Sequence, residues 1–240
     1  MLYNTDLGAA KFMAEENKNR TVKDSVFVDL FGRDITAREN FISLYNALHG
    51  TNLKPEETEL VPEMIERVVY MAYANDVAMQ VNGRIVVLIE HQSTINNNMP
   101  LRLLEYVTRI YEHIVPARKK FYKSMVKIPM PEFYVLYNGI DEFPESGEMR
   151  LSDAFMYPDD RKPEELPLEL VVKVYNINIG KGDSLLGKCE ALRQYSRLVE
   201  LVREARKEGL EEPLTWAVQE AIKHGVLPDY LKRKSTELSA

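Results

Sequence analysis

The sequence predicts a mixed α/β fold, a central sheet with helices on both faces. Three observations carry that expectation. Two apolar runs meet at Asn82-Gly83, a dipeptide typical of tight β-hairpins. The second run, Ile85-Val86-Val87-Leu88-Ile89, is apolar on both parities, as befits a strand covered on two faces. Helical periodicity alternates with further β-branched runs up to about residue 180 and continues alone beyond it.

The first 30 residues are polar and mixed, and read as chain that wraps the surface. Thr36-Ala37-Arg38-Glu39 has the capping-box spacing. Phe41, Leu44, Tyr45 and Leu48 follow at helical intervals, with His49-Gly50 as a stop. A short strand is expected over 58–61, before Pro62, and the hairpin strands over 76–81 and 85–92. The polar loop 93–98 leads to Met99-Pro100, and proline suits the first turn of a helix. In that helix Leu101, Leu104, Val107, Tyr111 and Ile114 form one stripe, and Arg102, Tyr106, Arg109 and His113 another. Phe133-Tyr134-Val135-Leu136-Tyr137 reads as a strand stopped by Asn138-Gly139, and 168–179 holds a further apolar run. Residues 185–207 and 213–224 are helical in pattern, with Gly209 and Pro213 between them. The chain thus divides into a domain over 1–180 and a C-terminal helical extension over 181–240.

A chain of 240 residues, 45% hydrophobic, can bury a sizeable core in one domain. No apolar run approaches the roughly 20 residues that span a bilayer, and the first residues lack a basic region followed by an apolar stretch. Cys189 is the only cysteine, which rules out a disulfide within the chain and argues against a thiolate zinc site. Cytoplasmic residence and no membrane partner are the expectations. The net charge of −6 works against a general coat of nucleic acid. Residues 118–127 nevertheless carry five cations (Arg118, Lys119, Lys120, Lys123, Lys127) and no acid, interleaved with Phe121 and Tyr122. That run is either a solvated helix end or a local surface for nucleic acid.

The chemistry centres on Asp76, Glu90 and Gln92. Positions 90 and 92 share a face because side-chain direction repeats every two residues in a strand, so His91 takes the other face. Two carboxylates and an amide oxygen at the end of an apolar sheet make a hard-oxygen site suited to Mg²⁺ or Mn²⁺. A glutamate behind five apolar residues needs compensation, either a metal or a cation such as Arg102 or Arg84. His49, His91, His113 and His224 are scattered without zinc-ligand spacing. Gly180-Lys181-Gly182-Asp183-Ser184 lacks phosphate-loop spacing and reads as a turn before a helix. Glu39 is explained by its capping position.

Hairpin geometry decides whether the acids can meet. A plain two-residue loop would pair Val81 with Arg84 and set Asp76 opposite Ile89, leaving Glu90 and Gln92 on the far face. An odd loop or one bulge restores a common face. The preferred form is a three-residue loop, Val81-Asn82-Gly83, with Gly83 left-handed and Asp76 opposite Leu88.

Asp76, then the hairpin, then Ile89-Glu90-His91-Gln92-Ser93, then Met99-Pro100-Leu101-Arg102-Leu103-Leu104-Glu105-Tyr106, resembles the Rpn group of recombination-promoting nucleases and related transposases, within the PD-(D/E)XK superfamily. The resemblance covers residues 23–137 and includes Lys23-Asp24-Ser25-Val26-Phe27 and Glu59-Leu60-Val61-Pro62. It implies a restriction-endonuclease-like core of order αβββαβ that cuts DNA phosphodiesters with Mg²⁺. Asp76 and Glu90 match the metal-binding acids. Gln92 stands where the superfamily more commonly has lysine, and an amide can orient and hydrogen-bond but brings no charge. In this account Arg102 or Arg109 contacts the phosphate, Lys119, Lys120 and Lys123 bind DNA, and Tyr106 is either a site residue or a packing tyrosine. A homodimer would suit cutting both strands. The competing expectations are a non-catalytic nucleic-acid-binding or assembly protein, and an interaction module whose C-terminal helices self-associate.

Overall fold

The computed structural model describes residues 26–63, 76–157 and 164–237, and for Asp76, Ile85, Val86 and 235–237 the backbone alone. A helical segment over 26–32 leads to α1 (Ala37–His49), β1 (Leu60–Pro62), β2 (Asp76–Val81), β3 (Ile85–Gln92), α2 (Met99–Ile114) and β4 (Met130–Tyr137). There follow β5 (Ser146–Arg150), β6 (Val171–Asn176), α3 (Asp183–Leu186), α4 (Glu190–Lys207), α5 (Pro213–Lys223) and α6 (Pro228–Glu237). The six strands form one mixed sheet in the order β1-β2-β3-β4-β6-β5. β1, β2 and β3 are an antiparallel meander, β3, β4 and β6 run parallel, and β5 closes the far edge antiparallel to β6. Among the described residues no helix is long and apolar enough to cross a membrane.

Alternation along the central strands builds two cores. Val77, Met79, Val81, Val87, Ile89, Tyr134 and Leu136 pack with α1, the segment over 26–32 and the helices from α3 onward. Ala78, Leu88, Phe133, Val135 and Tyr137 pack instead against Met99, Leu103, Tyr106, Val107 and Ile110 of α2. Burying each such leucine- or isoleucine-sized side chain is worth about 2 kcal/mol. Leu88 and Ile89 are therefore both buried, as the two-parity pattern predicts.

Three expectations need correction. Phe27, Leu30 and Phe31 are core residues at 0–1% exposure, so the last of the first 30 residues do not wrap the surface; the stretch before residue 26 lies outside the described residues. Thr36 does precede α1 but makes no side-chain cap bond to it. Its hydroxyl donates instead to Asp34 at 2.8 Å, an acceptor that outcompetes the capping box. β5 was not expected, because Ser-Gly-Glu-Met-Arg is a polar edge strand held by pairing with β6 rather than by its own apolar pattern.

One titratable pair links α1 to β4. His49 Nε2 lies 2.7 Å from Glu132 Oε2, and Nδ1 lies 2.8 Å from the Tyr45 carbonyl, so both ring nitrogens face acceptors and the imidazolium fits. The hydrogen bond to Glu132 holds His49 above its usual 6.5 despite partial burial. Burial works to raise Glu132, but the bonds from His49 and Tyr134 outweigh it and leave the carboxyl below 4.5. A raised histidine stabilises fully below its unfolded value and loses that contribution as pH rises through the folded one. A lowered carboxyl stabilises above its unfolded value and loses it as pH falls through the folded one. The urea midpoint of the wild type should therefore exceed that of His49→Gln most between 4.5 and 6.5 and converge with it on either side. A difference that stays flat as pH rises would contradict this.

Candidate functional site

The β2–β3 register sets Asp76 directly opposite Glu90, with Val81 facing Ile85. The parity is the one a shared site needs, but the loop is displaced by one residue from its expected position. It consists of Asn82, Gly83 and Arg84, not Val81, Asn82 and Gly83. The Arg84 N–H closes the turn on the Val81 carbonyl at 3.1 Å, and both central residues are left-handed, Asn82 at φ 52° and Gly83 at φ 62°. Asparagine and glycine are the residues that tolerate this conformation. The residue before β1 pins the turn: Asn82 N–H donates to the Glu59 carbonyl and Glu59 N–H to Asn82 Oδ1, each at 2.9 Å. That contact from outside the hairpin favours the observed placement, and no local pattern reveals it.

Asp76 and Glu90 thus face each other across the ladder, and Gln92 lies two residues on along the same face. Directly opposed residues have Cβ atoms about 5 Å apart, and like charges so placed repel. A cation must therefore sit nearby. Glu90 is 3% exposed, and Arg102 Nη2 of α2 reaches its Oε1 at 2.5 Å. Arg102 Nη2 also donates to the Tyr106 hydroxyl at 3.1 Å. Tyr106 is 1% exposed, so it packs in the core and meets the site through Arg102.

Gln92, 6% exposed, directs Nε2 to the sulfur of Met99 at 2.7 Å. Among the described residues its Oε1 has no hydrogen-bond partner. A buried amide oxygen without a donor, two residues from a carboxylate, fits a hard cation that keeps most of its waters. No three histidine, cysteine, aspartate or glutamate side chains converge among the described residues. The donors available here are carboxylate and amide oxygens.

Other expected residues are placed elsewhere. Arg109 is half-buried on α2, about 10 Å farther along the axis than Arg102. Lys119, Lys120 and Lys123 are exposed beyond the C-terminal end of α2, whereas the acids lie near its N-terminal end. His91, on the opposite face, is bound at 2.9 Å to the buried Tyr195 hydroxyl.

The structure adds residues that sequence reasoning missed. Asn138 follows β4, and its backbone N–H donates to the Gln92 carbonyl at 2.9 Å. Its side chain is 1% exposed, and neither polar atom has a hydrogen-bond partner among the described residues. A side chain at Gly139 would collide with the Ser93 carbonyl and the Tyr137 hydroxyl, each 2.3 Å from its Cβ, so the strand stop is also a close crossing. Asn178 Nδ2 donates to the Gly139 carbonyl at 3.0 Å, and Arg203 Nη1 of α4 donates to Asn178 Oδ1 at 2.6 Å. Burial lowers the Arg203 pKa. Asn-Gly had signalled only a turn, and Arg203 sat unmarked in an amphipathic helix.

A family model described as putative transposase, YhgA-like, matches residues 23–219. No curated protein and no solved structure matches the chain.

Proposed function

Because the chain belongs to the family of YhgA-like putative transposases, we propose that it is a metal-dependent DNA endonuclease with a PD-(D/E)XK core, serving recombination or mobile-element biology. The observation that carries this reading is the Asp76–Glu90 pairing, which gathers two acids and Gln92 on one face beside Arg102. The helix, three strands, helix and strand from α1 to β4 support the same core. Asp76 and Glu90 would hold Mg²⁺ or Mn²⁺, with the Gln92 oxygen beside them. The ion supplies Lewis acidity toward a phosphate oxygen and lowers the pKa of water. Gln92 orients the attacking water, and Arg102, swung from Glu90, meets the phosphate. Water adds its oxygen to phosphorus, one P–O ester bond breaks, and the departing alkoxide takes up a proton.

The Arg102–Glu90 ion pair also favours a second reading, a nucleic-acid-binding protein that keeps the fold without cutting. Incubating supercoiled plasmid with the purified chain separates the two. Nicking is expected in Mg²⁺ or Mn²⁺ and none in EDTA, with Gln92→Lys cutting at least as well as wild type. No nicking under any divalent cation favours the second reading.

A further inference from the structure

The basic run lies at the opposite end of the sheet from the acids. Its residues form a five-residue 3-10 turn, Ala117–Phe121, then irregular chain to β4. From residue 113 to 131 there is no acid. The segment also displays apolar surface: Phe121 is 88% exposed, Met125 80% and Tyr122 55%. Arg84 adds another cation, because the Met130 N–H donates to its carbonyl at 2.8 Å. Solvated lysines alone would not require neighbouring aromatic rings to stand in water.

We propose that residues 118–127 bind unpaired nucleotides, with Phe121 and Tyr122 stacking on bases and the surrounding lysines and Arg118 taking phosphates. The cations match a polyanion, and the rings match a ligand with free π-faces. Bases inside a duplex are already stacked, and separating them costs a few kcal/mol per step. A lipid surface is typically met by an amphipathic helix, and this segment is irregular. Met130 pairs with Ile85, which lies five residues before Glu90 in β3. The start of β4, where the segment ends, is therefore about 17 Å along the sheet from the acid pair, the length of about five base-pair steps of duplex. The distance to a cut rests on the nuclease reading; the binding does not.

The test uses the full chain in EDTA and fluorescence anisotropy on three probes: a blunt duplex, the same duplex with a single-stranded tail of about ten nucleotides, and the tail alone. Tailed and single-stranded probes should bind about tenfold or more tighter than the blunt one. Phe121→Ala and Tyr122→Ala should each lose about tenfold on the tail with an unchanged salt slope. Lys119→Ala/Lys120→Ala should reduce that slope by about 0.7 per lysine. Equal binding to blunt and tailed probes, wild-type affinity in both aromatic variants, or capture by phosphatidylglycerol vesicles in place of the oligonucleotides would overturn the proposal. Tail binding without any metal-dependent cutting would sink the nuclease reading alone. Cutting without a tail preference would sink this one alone.

Discussion

Asp76→Ala and Glu90→Ala should each lower the proposed metal-dependent cleavage by about 1,000-fold while the circular dichroism spectrum is retained. Losing one preorganised group at the reacting phosphate commonly costs 10²–10³-fold, and a metal ligand should fall at the upper end. The two acids oppose each other in the ladder, and in the proposed site they would act as one unit. The double variant should therefore be little worse than either single one. Additive losses would mean that the acids act independently. Wild-type cleavage by either single variant would remove the site.

Arg102→Ala lowers stability in EDTA by about 3 kcal/mol or more. Removing one partner of a buried ion pair penalises the charge left behind, and Glu90 would lose the Arg102 guanidinium while Asp76 stays opposite it in the ladder. For a chain of this size that loss corresponds to a drop in melting temperature of about 10 °C. Divalent cation should restore more stability to the variant than to wild type, where Arg102 already occupies Glu90 Oε1. Melting curves with and without Mg²⁺ decide it. A loss under about 1 kcal/mol, or equal Mg²⁺ shifts in the two proteins, would show that Arg102 does not neutralise this site.

The central elements were legible because their signals are local. Ile85-Val86-Val87-Leu88-Ile89 reads as a strand covered on both faces, and Met99-Pro100 opens α2 where proline fits a first turn. Parity alone shows that the hairpin needs an odd loop or one bulge for Asp76 and Glu90 to meet. Non-local contacts were not legible. The Glu59–Asn82 bonds that accompany the shifted loop span 23 residues. β5 exists by pairing with β6, and Phe27 and Phe31 lie in a core that joins the sheet and α1 to the helices that follow residue 183. Asn138 reaches Gln92, and Arg203 reaches the neighbouring Gly139 through Asn178, only after β4, β6 and α4 converge. The sequence asks for a cation at Glu90 and offers Arg102 and Arg84 for it; nothing in their spacing distinguishes an ion pair from a metal.

Calorimetric titration of Mn²⁺ into the purified chain tests the shared acid site most directly. One ion per chain is expected, with its binding heat lost in both Asp76→Asn and Glu90→Gln. Wild-type binding in either variant would contradict a site held jointly across the β2–β3 ladder.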